Sequence, residues 1–167
     1  AYHALPSFTA PDGSPSGALY GFASFILKVI ADLHPDYIAA CYDLPGPTFR
    51  HAAFREYKAT RPALADELAR QIESSRALLH AFGIPIYDAK GYEADDVLAT
   101  IVEQVKGQSA DRRTKIIVAS GDMDTMQLVK GDDVVVYMLK KGVTETTLYN
   151  ERAVHDRFGF SPQLLPD

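Results

Sequence analysis

Six carboxylates fall in three short clusters. They are Asp43, at the end of Ile38-Ala39-Ala40-Cys41-Tyr42-Asp43, the triplet Glu93, Asp95 and Asp96, and the pair Asp122 and Asp124. Each cluster lies where an apolar run hands over to a loop or a helix. If the strands are parallel, all three open on one edge of one sheet. Acids gathered in a low dielectric repel one another strongly. Hard divalent cations such as Mg²⁺ or Mn²⁺ prefer oxygen ligands and relieve that repulsion most simply. Two such ions, roughly 3.5–4 Å apart, hydrolyse phosphodiesters: one activates water and the other stabilises the leaving oxygen. No His, Ser or Cys nucleophile is needed for this chemistry. The five histidines, His3, His34, His51, His80 and His155, show no ligand spacing.

Each cluster also has an ordinary explanation. Acids in the first turn of a helix are favoured by the dipole and the free N–H groups. Glu93, Asp95 and Asp96 exceed what capping needs. Helical spacing places Glu93 and Asp96 on one face and Asp95 off it. The three converge only if Glu93 precedes the regular helix. Ser120-Gly121-Asp122-Met123-Asp124 reads as a turn, with Asp124 suited to an N-cap. It also starts like the Asp-x-Asp of haloacid dehalogenase phosphatases, but Met126 stands where that pattern wants Thr or Val. Asp43 alone is the weakest of the signals.

Arg50, His51, Arg55, Lys58 and Arg61 crowd into twelve residues, interleaved with Phe49, Phe54 and Tyr57. Cations meet phosphates and rings stack on bases, so this interleaving suits a single strand of nucleic acid. The alternative is a solvated helix with a few buried rings. Position beside Asp43 favours the functional reading. The formal net charge of −5 argues against a nucleic-acid binder. Bound cations and the uneven spread of positive charge soften that objection.

The elements that must position these groups follow from the apolar spacing. Helices are predicted over Ala18–Leu33, ended by Pro35, over 64–82, stopped by Gly83, and over Glu93–Val105. A short helix is expected near Asp124–Val129, and a last one from an Asn150 cap to Phe158. Strands are expected at Tyr37–Tyr42, Ile84–Tyr87, Lys115–Ala119 and Val134–Tyr137, with Thr144–Leu148 paired to the last. Residues 44–63 show no clear periodicity. The alternation predicts a three-layer α/β/α fold with a mainly parallel central sheet, whose sites lie beyond the carboxyl ends of the strands. With 167 residues, 47% apolar, a single domain burying roughly two-thirds of its unfolded surface is expected. No apolar run reaches the ~18 residues of a membrane span, and no signal peptide is expected. Cys41 is the only cysteine, so no intramolecular disulfide is available. A reducing cytoplasm is the simple reading.

Three blocks carry a resemblance. They are Gly91-Tyr92-Glu93-Ala94-Asp95-Asp96-Val97-Leu98-Ala99; Ser120-Gly121-Asp122-Met123-Asp124 with Gln127-Leu128-Val129; and Phe49-Arg50 with Tyr57-Lys58-Ala59-Thr60-Arg61-Pro62. Tyr20-Gly21-Phe22 agrees with them. Across essentially its whole length the chain resembles the 5′-nuclease domain of bacterial DNA polymerase I, within the flap endonuclease superfamily. The resemblance implies a structure-selective 5′→3′ exonuclease and flap endonuclease with a PIN-like fold. Its substrates would be DNA with a 5′ flap or 5′ end and RNA primer–DNA hybrids. A polymerase domain in the same longer chain would be compatible with it. It also implies roles. Asp43, Glu93 and Asp95 would serve a first Mg²⁺ or Mn²⁺, with Asp95 bridging to a second held by Asp122 and Asp124. Asp96 would act through water. Residues 44–63 would form a helical arch or gateway, in which Arg50 and Lys58 steer the scissile phosphate, Arg61 holds the 5′ strand and Tyr57 stacks on a base.

The family pattern also has another aspartate on a first strand shortly before Tyr2. Past Asp167 it has a Gly-Asp-x-Ser-Asp-Asn segment and a helix–three-turn–helix that grips duplex DNA and binds K⁺. The 167 residues are therefore expected to be a fragment lacking both, inactive or nearly so alone. Two other readings compete: a non-catalytic nucleic-acid-binding remnant, and a PIN-type ribonuclease. The long basic gateway counts against the second.

Overall fold

The computed structural model describes residues 8–60, 64–108, 114–141 and 145–165. The chain divides into two compact units, Ala1–Val97 and Leu98–Asp167.

In the first unit, helix α1 (Gly17–Leu33) packs against helix α3 (Asp66–Ala81). Gln71, buried on α3, reaches the start of α1, where its Oε1 accepts from the N–H groups of Ala18 and Leu19 at 2.8 and 3.2 Å. That satisfies two of the donors a helix N-terminus leaves without an intrahelical partner. Helix α1 ends at Leu33 as expected, and His34, the residue before Pro35, turns into the left-handed region (φ 45°). Strand β1 (Ala40–Cys41) pairs in parallel with β2 (Ile86–Tyr87). The strand expected over Tyr37–Tyr42 contracts to two residues, because the partner strand offers only Ile86 and Tyr87 opposite them. Tyr37 is 95% exposed. Ile26, Leu79 and Ile84 form the core, with Phe22, Ile38, Ala40, Tyr42 and Ile86 packed around them. Leu79 is fully buried there. Leu79→Ala should cost about 2–5 kcal/mol. Urea unfolding would read this as a lower midpoint at unchanged slope.

Helix α2 (Phe49–Ala53) is one turn that the sequence pattern did not announce. Thr48 and His51 form a reciprocal cap at its start: the Thr48 backbone N–H donates to His51 Nδ1 at 3.1 Å. Helix α4 (Ala94–Gln108) carries the boundary between the units.

The second unit is built on β3 (Ile116–Ala119), β4 (Val134–Lys141) and β5 (Glu145–Tyr149). β3 runs parallel to β4, and β4 runs antiparallel to β5. The β-branched run Val134-Val135-Val136 is almost wholly buried, as a strand covered on both faces must be. Around it Val118, Met126, Val129, Tyr149 and Val154 close the core. A 3₁₀ turn at Met123–Leu128 follows β3, and helix α5 (Glu151–Phe158) follows β5. As expected, Asn150 caps α5, accepting from the Ala153 N–H at 2.9 Å. Gly159 ends α5 at φ 80°, a conformation that favours glycine.

The α/β alternation holds, but the expectation of one mainly parallel sheet is corrected. Among the described residues the strands form a parallel pair and a mixed three-stranded sheet. The reason is the length of the β4–β5 connection. Three residues separate Lys141 from Glu145, whereas a parallel crossover needs a dozen or more. The strand pairing gives a PIN-like fold no specific support. The predicted pairing of Thr144–Leu148 with β4 is seen over Glu145–Tyr149; Thr144 lies outside the described residues.

Candidate active site

In the first unit the chain folds its basic stretch onto its acidic one. Gly91 turns at φ 86°, a conformation open to glycine at little cost, and its carbonyl accepts the Phe49 N–H at 2.9 Å. That bond aligns α2 with the start of α4. The Phe49 and Tyr92 rings meet at 5.5 Å beside it, both about half exposed.

Regular helix in α4 begins at Ala94, so Glu93 is the residue before it. This is the geometry in which the triplet converges best, yet its members take different partners. Asp96 Oδ2 accepts the Glu93 N–H at 2.8 Å, closing half a capping box. Arg50 lies across the same carboxylate in a two-pronged pair, Nη1 to Oδ2 at 2.7 Å and Nη2 to Oδ1 at 2.8 Å. Lys58 Nζ donates to Glu93 Oε1 at 2.8 Å, and the Tyr57 hydroxyl donates to Glu93 Oε2 at 3.0 Å. Arg50 Nη1 also approaches Glu93 Oε2 at 3.8 Å. Asp43 accepts the Ala94 N–H at 2.7 Å, so it too serves the N-terminus of α4. Asp95 is exposed at the same helix start.

These contacts shift the titrating groups. The Arg50 hydrogen bond holds the Asp96 carboxyl below its ordinary 3.8, against an opposing push from burial. Burial pushes Glu93 up, but hydrogen bonds from Lys58 and Tyr57 and the charges of Lys58 and Arg50 outweigh it and hold the carboxyl below 4.5. Burial lowers Lys58, but its contacts with Glu93 and Tyr57 together outweigh that and raise it. Arg50 is raised, chiefly by its bond to Asp96. For the two depressed carboxylates, the stabilisation is fully present above 4.5 and 3.8. It is lost as pH falls through their lower folded values. Melting temperature should therefore drop between about pH 5 and 3, and the drop should be shallower in Asp96→Asn. A scan of melting temperature against pH on both proteins checks this.

In the second unit Asp122 and Asp124 follow β3, both exposed. Asp122, not Asp124 as expected, is the N-cap: its Oδ1 accepts the Asp124 N–H at 3.0 Å. Ser120 Oγ accepts the Asp122 N–H, and Thr125 Oγ1 donates to the Asp122 carbonyl at 2.6 Å. The Asp–x–Asp spacing makes the first residue the cap because the bond spans two positions.

Of the residues singled out in the sequence, the fold brings Arg50, Tyr57 and Lys58 onto Glu93 and Asp96, and Asp43 onto the same helix start. Arg61 lies outside the described residues. Among the described residues, no group of three or more His, Cys, Asp or Glu is arranged to hold a metal ion. The sequence reading missed the half-exposed Phe49–Tyr92 pair and the cap at Thr48. The Thr-x-x-His spacing is the signal for the cap, because His stands in for the usual Glu or Gln.

Residues 1–159 match the family described as 5′-3′ exonuclease, N-terminal resolvase-like domain. The chain belongs to that family. It is 37% identical over 169 residues to DNA polymerase I of Mycobacterium tuberculosis H37Rv. It is 38% identical over 168 residues to DNA polymerase I of Caldicellulosiruptor bescii. All of the chain is covered in both matches, but only 18% and 19% of the relatives. The chain thus spans less than a fifth of the curated relatives it matches. A similar solved fold is the flap endonuclease of bacteriophage T5, in a pseudo-enzyme–product complex with DNA and metal ions. Its TM-score is 0.60 at 18% identity, over 84% of this chain and 52% of that one. Among the described residues of this 5′-3′ exonuclease family member, no helix is long and apolar enough to cross a membrane.

Proposed function

We propose that the chain is the catalytic part of a structure-specific 5′→3′ exonuclease and flap endonuclease. It would hydrolyse DNA phosphodiester bonds in primer removal and repair, in the cytoplasm. Family membership carries this reading, since residues 1–159 contain all three carboxylate clusters. The DNA polymerase I relatives and the DNA-bound T5 flap endonuclease support DNA as the substrate. RNA primer–DNA hybrids belong to the same proposal, as does a polymerase domain elsewhere in a longer chain.

Asp43, Glu93, Asp95, Asp96, Asp122 and Asp124 are the groups that would hold two Mg²⁺ or Mn²⁺ ions. An all-carboxylate donor set fits such hard cations. Glu93 and Asp96 already take cationic partners, with Arg50 and Lys58 as stand-ins. When bound, the ions would supply an activated water and positive charge for the leaving oxygen. Around them Arg50 and Lys58 would orient the phosphate, Tyr57 would stack on a base and Arg61 would hold the strand, within an arch formed by residues 44–63. A second reading is a non-catalytic nucleic-acid-binding remnant. The pairing of Glu93 and Asp96 with the chain's own Lys58 and Arg50 favours it.

A 5′-labelled flap DNA separates the two. The assay uses this chain and a version extended at both ends, with Mg²⁺, Mn²⁺ or EDTA. The expected result is divalent-dependent release of the flap by the extended version, abolished in its Asp95→Asn/Asp122→Asn double variant, with little or none by the 167 residues alone. Cleavage no faster than that variant, together with retained DNA binding, would establish the remnant reading.

A further inference from the structure

Phe49 and Tyr92 leave about half of their rings open to solvent where two segments of the first unit meet. Phe49 opens α2, and Tyr92 follows the turn at Gly91. The ring centroids lie 5.5 Å apart with the planes tilted by 50°, so the rings form a wedge and not a closed stack. Both line an open pocket of about 570 Å³, walled also by Pro47, Ala52 and Gly91. Pockets that hold small ligands span about 300–1,000 Å³. The wedge is not needed as a fastener, because the Phe49 N–H on the Gly91 carbonyl and the Arg50–Asp96 pair already join these segments. Apolar side chains exposed singly are ordinary, whereas a contiguous apolar patch with a polar rim is the form that binding surfaces take.

We propose that this wedge is a stacking platform for one unpaired base of the 5′ strand. The inference rests on the nuclease reading above and names a part of how that site holds its substrate. Phe49 is followed in the chain by Arg50, and Tyr92 by Glu93; Arg50 Nη1 lies 3.8 Å from Glu93 Oε2. The aromatic pair and the charged pair are thus neighbouring halves of one junction. The Arg50 guanidinium also stands over the Phe49 ring, 4.6 Å from its centroid. A nucleotide has the matching form, a flat ring joined to an anion. A base in the wedge sets its own phosphate beside Arg50. Thr48 and His51, which also line the pocket, are turned on each other. The Thr48 N–H donates to His51 Nδ1 at 3.1 Å, and the Thr48 hydroxyl lies 3.0 Å from the same atom. The pocket therefore offers ring faces more than groups that read base edges, and every base has a face to stack. Tyr57 is a separate ring, with its hydroxyl on Glu93 and the His51 ring edge-on to it at 5.4 Å.

A 5′-flap DNA carrying one abasic site, moved in turn through the flap and junction nucleotides, tests the platform on the protein extended at both ends. Binding is read by fluorescence anisotropy in EDTA, and cutting in Mg²⁺. Tyr92→Leu and Phe49→Leu should each weaken binding of intact DNA about 5- to 150-fold, the range for one base stacked on an aromatic side chain. Both losses should vanish on the DNA that is abasic at one particular position, where the base has no ring left to stack. Tyr92→Phe should bind as the unaltered protein does. 2-Aminopurine at that position should be quenched by the unaltered protein and brighter with either Leu variant. Melting temperatures check that the variants fold, and Tyr92, half exposed and outside regular helix, is the safer of the two sites. If both Leu variants bind intact DNA like the unaltered protein, or lose as much on every abasic DNA as on intact DNA, the platform is wrong; flap cutting in Mg²⁺ then leaves the nuclease reading standing. If the extended protein neither binds nor cuts flap DNA, the nuclease reading fails and the platform with it.

Discussion

Replacing Glu93 with Gln should abolish cleavage of flap DNA while leaving the fold intact. Glu93 stands at the start of α4 and accepts from Lys58, Tyr57 and, at longer range, Arg50. Gln preserves its shape and one acceptor oxygen but removes the charge that three neighbours face. A group that merely orients a metal ligand costs roughly 10–100-fold when lost. A carboxylate that itself belongs to the cation site should cost more. The loss should appear in the rate at saturating DNA, because the substitution leaves the strand-binding side chains in place. Single-turnover cleavage with enzyme in excess, in Mg²⁺ and then in Mn²⁺, measures it. A rate within a few-fold of the unaltered protein in both metals would remove Glu93 from the site.

Replacing Arg50 with Met should produce the largest loss of stability among the surface residues of the first unit. The guanidinium satisfies both oxygens of Asp96 and lies near Glu93, and these carboxylates are only 21% and 14% exposed. Breaking a fully buried pair costs about 3–5 kcal/mol, because the survivor is left charged and unpaired. Fully exposed pairs contribute about 0–1 kcal/mol. Arg50, 33% exposed, lies between these cases, so about 1–3 kcal/mol is expected. Arg50→Lys should recover only part of the loss, since an ammonium cannot reproduce the two parallel bonds. Asp96→Asn combined with Arg50→Met should then cost less than the sum of the two, because the stranded charge is gone. A double-mutant cycle by urea unfolding reads the coupling.

The sequence was legible wherever a local rule decides the structure. Apolar periodicity located α1, α3 and α4 to within a few residues. Asn150 and Gly159 marked the two ends of α5, because a side-chain cap and a left-handed glycine are local events. The valines of β4 announced a strand, and the structure shows them buried. The sheet was less legible. Apolar runs show that strands exist, but their direction depends on connections, and the three-residue link after Lys141 decided the antiparallel pairing. Gln71 gave no signal at all: its use as a cap for α1 joins residues 53 apart in sequence.

The candidate site divides in the same way. Its residue types and its grouping were visible in the sequence, and the position of Glu93 before the helix was the condition set for convergence. The partners were not visible. Capping claims the Asp43 and Asp122 carboxylates, and side-chain cations claim Glu93 and Asp96, through contacts up to 51 positions apart. Spacing along the chain cannot report which cation closes on which acid.

In the proposed function these carboxylates serve the cutting of a 5′ strand of DNA. The most direct measurement maps the products of single-turnover reactions on one flap substrate, labelled at the 5′ end in one preparation and at the 3′ end in another. The expected result is a divalent-dependent cut near the flap junction, releasing the displaced 5′ strand and leaving the 3′-labelled remainder of that strand whole. Release from the 3′ end, cutting that persists in EDTA, or no cutting by the extended protein would contradict it.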